Sequence, residues 1–191
     1  MTPLAVARPG RLAVRPSDPA AAPTTTLIVC GSADRADDGA ALAALAALDR
    51  ATLAGVRVHA VGEVRVEELV DAAALGPVVI ADAAVGIGAG VVAGIPFERL
   101  GAFVRSIHVR STHELPIADA VALAEMLIGR TIEGAIVVIG AGDVRHGGQL
   151  SAPVRAALPR FARTIARVAL TVAERPGPRG PGRWAERPWS E

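Results

Sequence analysis

Aromatic side chains are scarce: three Phe, two Trp and no Tyr, 3% of 191 residues. A core must therefore be assembled from Ala, Val, Leu and Ile. Cysteine occurs once, at Cys30. That excludes an intramolecular disulfide and fits a reducing cytoplasm. Charge is balanced to a formal +1, which gives no case for nucleic acid, whose binders normally carry a strong basic patch. No apolar run approaches the roughly 18 residues of a membrane span. There is no Cys-x-x-Cys and no His-Glu-x-x-His, so a closed structural zinc site is not expected. A serine hydrolase would need a Gly-x-Ser-x-Gly elbow, which is missing.

Hydrophobic residues make up 51%, ample for a core, and the length favours one domain. Residues 1–23 carry Arg8, Arg11 and Arg15 among five prolines. Without an uninterrupted apolar segment they are expected to be a disordered leader and not an export signal. Residues 175–191 are dense in Pro, Gly and Arg and are expected to be a disordered tail bearing Trp184 and Trp189. The folded body is expected over 24–174.

That body is organised around Thr26–Gly39, where an apolar run ends at Gly31 and a polar loop leads to Asp37 and Asp38. The pattern predicts a strand over 25–30 and a helix over 38–53, with Asp37 at the N-cap. Next come an alternating strand over 56–61, a helix over 63–73 and an apolar strand over 78–81 that ends on Asp82. The stretch 83–94 is Gly-rich and reads as a loop, a bulge or a short extra strand. Its Gly86, Gly88 and Gly90 lack nucleotide-loop spacing, follow the third strand and open no helix. A fourth strand is expected over 104–109 and a helix over 116–129, with Ser111 and Glu114 at capping-box spacing. A strand over 135–139, a loop over 140–150 and a helix over 152–172, capped by Ser151 and kinked at Pro159, complete the chain. Strands alternating with helices predict a three-layer α/β/α sandwich around a mixed, mainly parallel five-stranded sheet, phosphorylase/hydrolase-like.

Asp38, Asp82 and His113 each lie just past a strand or before a helix, on what should be one sheet edge. In open α/β sheets ligands bind at that edge. Two carboxylates and an imidazole make an oxygen/oxygen/nitrogen donor set that suits Ni, Zn, Mn or Fe. They also suit paired-carboxylate hydrolysis. Cys30, inside a strand, is not expected to be a nucleophile.

The ordered segments Gly31-Ser32…Asp37-Asp38-Gly39, Val79-Ile80-Ala81-Asp82-Ala83, Ser111-Thr112-His113-Glu114-Leu115 and Val137-Val138-Ile139-Gly140…Gly148-Gln149-Leu150-Ser151 resemble the motifs of the hydrogenase maturation proteases. Those are nickel-dependent endopeptidases that trim the C-terminal extension of a [NiFe]-hydrogenase large subunit. The resemblance implies that Asp38 and Asp82 are acidic metal ligands and His113 the imidazole ligand. It further implies that Asp38 or Asp82 helps activate water, as in an aspartyl-type hydrolase. The nickel would arrive already loaded in the precursor. Gly31, Gly39, Gly86, Gly88 and His146, on the surrounding loops, are candidates to touch the substrate peptide. The implied protein is a cytoplasmic, monomeric hydrolase whose partner is a hydrogenase large-subunit precursor, with no nucleic acid and no membrane. A non-catalytic metal- or precursor-binding maturation factor is the alternative.

Overall fold

In the computed structural model, residues 25–107 and 115–173 are described. The expected leader and tail, together with His108, Ser111, His113 and Glu114, lie outside them.

The sheet grows from β1 (Thr26–Val29), whose four side chains are all buried. Flanking it are β2 (Arg57–Ala60), β3 (Val78–Ala84), β4 (Val92–Pro96) and β5 (Gly134–Gly140). The spatial order is β2-β1-β3-β5-β4. β2, β1, β3 and β5 are parallel, and only β4 runs against its neighbour β5. The expected mixed, mainly parallel five-stranded sheet is thus present.

Strand alternation sorts the core into two halves. Leu27, Val29, Val79, Ala81, Val137 and Ile139 face one way. There they meet α1 (Ala40–Ala46) and α5 (Ala152–Ala173). Ile28, Cys30, Val78, Ile80, Ile136 and Val138 face the other way, toward α2 (Val66–Leu75), α3 (Phe97–Ile107) and α4 (Ile117–Ile128). Helices on both faces give the three layers. No helix among the described residues is long and apolar enough to cross a membrane.

The order of the strands decides where a site can form. From β1 the chain crosses outward to β2, then returns past β1 to β3 and continues toward β5 and β4. The connections therefore diverge between β1 and β3, and a crevice opens at their carboxyl ends.

Four expectations are corrected. The helix expected over 38–53 is a 3-10 turn (Ala36–Gly39), then α1, then a second 3-10 turn (Arg50–Leu53). The Asp49 side chain starts that second turn by accepting the Ala51 N–H at 3.1 Å. Asp37 is no N-cap; the 3-10 turn opens after Arg35 without a side-chain cap. Residues 104–107 of the strand expected over 104–109 are instead the end of α3, because Phe97, Leu100, Phe103 and Val104 recur at helical spacing and pack on the core, while 108 and 109 lie outside the described residues. The antiparallel strand is β4, the short extra strand allowed for in the Gly-rich stretch. Lastly, β3 runs past Asp82 to Ala84, paired with β5 as far as Gly140. Asp82 therefore sits within the strand and does not end it. The final helix continues through Pro159 as one element.

Candidate active site at the carboxyl ends of β1 and β3

Cys30 prolongs β1 by donating its N–H to the Ala81 carbonyl at 2.9 Å. The chain then turns sharply at Gly31, whose φ is +117°. A Cβ there would strike the Asp38 carbonyl oxygen, so only glycine lets the loop double back this tightly. The loop closes through the Asp38 N–H, which donates to the Arg35 carbonyl at 2.9 Å. Asp38 Oδ2 accepts the Ser32 N–H, also at 2.9 Å. Asp38 is thus held from both its backbone and its side chain and is only 8% exposed.

Asp82 approaches from β3 with 3% exposure, and its Oδ1 accepts the Ala83 N–H at 2.8 Å. Alternation along β3 puts it on the same face as Ile80, the face Cys30 also occupies. The thiol records this neighbourhood. Burial pushes Cys30 well above its ordinary value, and the charges of Asp82, then Glu68, then Asp38 push it further, against a backbone hydrogen bond with Val64. The charges come from three different places in the chain: β3 (Asp82), the first turn of α2 (Glu68) and the loop after β1 (Asp38). That thiol stays protonated at neutral pH, as expected of a cysteine that is not a nucleophile.

Glu68 was not singled out from sequence. It lies in the first turn of α2, and its carboxylate accepts the Arg65 N–H at 3.0 Å. The available signal was topological: a helix that follows a parallel strand starts at the same rim as the other loops.

Asp37 takes a different part. It is fully buried. Its Oδ1 accepts the Ser151 N–H at 2.6 Å. Its Oδ2 accepts the Gly142 and Asp143 N–H groups at 2.9 and 3.0 Å. Burial pushes this carboxyl up, but the N–H groups of Ser151, Gly142 and Asp143 outweigh it and hold it below the ordinary range. The carboxylate also lies at the amino end of the 22-residue α5, where the helix dipole favours negative charge. Asp37 therefore joins the first loop to the last. The joint holds Ala36, a non-glycine residue, at φ +41°, a sparsely populated conformation that surrounding contacts must enforce. Further along the last loop, Asp143 is ion-paired to Arg145 at 2.7 Å, and the guanidinium's hydrogen bond lowers its carboxyl to about 2.

Of the predicted site residues, Asp38 and Asp82 are both buried, on the loop after β1 and on the neighbouring β3, and His113 lies outside the described residues. No group of three or more His, Cys, Asp or Glu among the described residues could hold a metal ion. Gly31 shapes the acidic loop. Gly39 borders a shallow groove with Ala33, Ala36, Leu42, Leu150 and Arg155 that encloses about 530 Å³. Gly86 and Gly88 are exposed in the turn before β4 and open no helix, as expected. His146 is exposed on the last loop. The turn and the last loop are tied by the Gly90 N–H to the Gly140 carbonyl (2.9 Å) and the Gly140 N–H to the Val91 carbonyl (2.8 Å).

A three-layer sandwich with a five-stranded, mainly parallel sheet is the fold of the [NiFe]-hydrogenase maturation proteases. The chain is similar to the [NiFe] hydrogenase maturation protease HybD from Thermococcus kodakarensis at 24% identity and a TM-score of 0.58, covering 76% of this chain and 98% of that one. It is similar to an endopeptidase from Escherichia coli at 19% identity and a TM-score of 0.62, covering 78% and 94%. It is also similar to the hydrogenase maturating endopeptidase HybD from E. coli at 17% identity and a TM-score of 0.56, covering 73% and 88%. No family model and no curated protein matches the chain. At these identities the common property is the fold.

Proposed function

We propose that this chain is an endopeptidase that removes the C-terminal extension of a [NiFe]-hydrogenase large-subunit precursor after nickel insertion. The observation that carries the reading is that two buried carboxylates, Asp38 in the loop after β1 and Asp82 in the adjacent, parallel β3, lie toward the carboxyl ends of neighbouring strands. The common fold supports it, since two of the similar structures are described as hydrogenase maturation proteases. The nickel belongs to the substrate. Asp38 and Asp82 offer it oxygen donors, and His113, by its motif, offers nitrogen. One of the two carboxylates takes a proton from the attacking water and returns it to the leaving amine as the C–N bond breaks; the other would help hold the metal, which would supply Lewis acidity at the scissile carbonyl.

The test is incubation of the purified chain with a nickel-loaded precursor from the same organism. A shortened product with wild type and none with Asp38→Asn, Asp82→Asn or His113→Ala supports the peptidase. A stable complex that is never cut replaces it with a binding factor for the precursor.

A further inference from the structure

The groove beside the acidic loop has a composition that suits a particular ligand. Much of its lining is short: Ala33, Ala36, Gly39, Ala43 and Gly148 contribute nothing beyond a methyl group, and Gln149 adds an amide. Leu42 and Leu150, both partly buried, supply an apolar floor. Arg155 stands at the rim. Its Nη1 donates to the Leu150 carbonyl at 3.2 Å, which leaves the other guanidinium N–H groups of its five for a ligand. No carboxylate among the described residues pairs with it.

An apolar floor edged by the Gln149 amide and by one guanidinium with no carboxylate partner among the described residues suits a ligand that carries an aliphatic group and a carboxylate on the same short unit. The last residue of a polypeptide is such a unit. An internal acidic residue is not, because its carboxylate and the nearest aliphatic side chain belong to different residues on opposite faces of an extended strand. The groove also adjoins the reacting edge, since Ala36 and Gly39 flank Asp37 and Asp38.

We propose that this groove binds the free C-terminal residue of the substrate's extension, an aliphatic one, with its carboxylate on Arg155. The inference rests on the peptidase reading for the identity of the peptide. It makes the chain a reader of the extension's end as well as of its cut site.

The probe is a fluorescein-labelled nonapeptide ending in Leu-Val with a free carboxylate, measured by anisotropy against the full chain beside the same peptide amidated at its end. The free form is expected to bind roughly tenfold more tightly, as befits a charge-assisted, bidentate pair. Arg155→Glu is expected to erase the difference and Arg155→Lys to retain part of it. Equal binding of the two peptides, or an unchanged preference in Arg155→Glu, overturns the proposal. So does equally tight binding of an amidated peptide carrying an internal Glu. If wild type prefers the free carboxylate yet leaves a nickel-loaded precursor whole, the peptidase reading falls and the groove assignment stands.

Discussion

Asp37 and Asp38 are adjacent, yet their side chains answer to opposite ends of the chain. Asp37 is satisfied by three backbone N–H groups of the last loop, so removing it leaves these partly buried donors without their acceptor. Asp37→Ala is expected to cost about 3 kcal/mol in urea unfolding, roughly one for each donor. Its carboxyl is depressed below the ordinary 3.8. The stability it supplies is therefore complete above that value and is lost as pH falls through the lower folded value. Urea midpoints measured from pH 7 down to pH 3 should decline more steeply at the acid end in wild type than in Asp37→Asn. Asp38→Asn keeps an oxygen for the Ser32 N–H and is expected to stay within about 0.5 kcal/mol of wild type. In the precursor assay it should lose at least about 100-fold in cleavage rate. The sequence showed both carboxylates and put them at the right rim, but it could not show which one turned to the last loop. The deciding partner, Ser151, is 114 positions away, and no local pattern encodes a contact at that range.

Local pattern was a better guide to elements where burial was uniform. The fully buried β1 and β5 and the strongly apolar α4 were readable, because continuous apolar runs and 3.6-residue spacing leave few alternatives. It misled over 97–107, where Val104-Arg105-Ser106-Ile107 alternates like a strand while Phe97, Leu100 and Phe103 carry the helix that forms. The β4 turn also depends on distant packing. A Cβ at Gly140 would meet the Gly88 carbonyl oxygen and lie 2.8 Å from its carbon. Gly140→Ala is therefore expected to push the turn off β5, at about 2 kcal/mol or more by thermal unfolding. Gly62→Ala is a control, since nothing lies within 4 Å of its Cβ position.

Across the whole molecule, the two half-cores on either side of one sheet must hold with hardly any aromatic volume. Among the described residues Phe161 is the largest fully buried side chain, and it fills the layer between α5, α1 and the sheet. Phe161→Ala is expected to cost about 3–5 kcal/mol. For a body of this size that corresponds to a fall of roughly 8–15 °C in Tm. The loss should be cooperative, because both layers share β1, β3 and β5. Cys30 provides a second measurement: buried and raised, it should react with iodoacetamide at pH 8 only on the timescale of unfolding, and faster in Phe161→Ala.

Asp82 stands inside a ladder, not at the tip of a loop. Beside it, Ala81 is bonded to the Cys30 N–H, and on the other side β3 stays in register with β5 two residues further, to Ala84. Its main chain is thus immobilised by the most rigid part of the architecture. A lid can travel to meet its cargo; this carboxylate cannot. On the proposed reading, a substrate would have to bring its scissile bond to a carboxylate whose main chain is fixed in the sheet, and so would have to arrive already in the right shape.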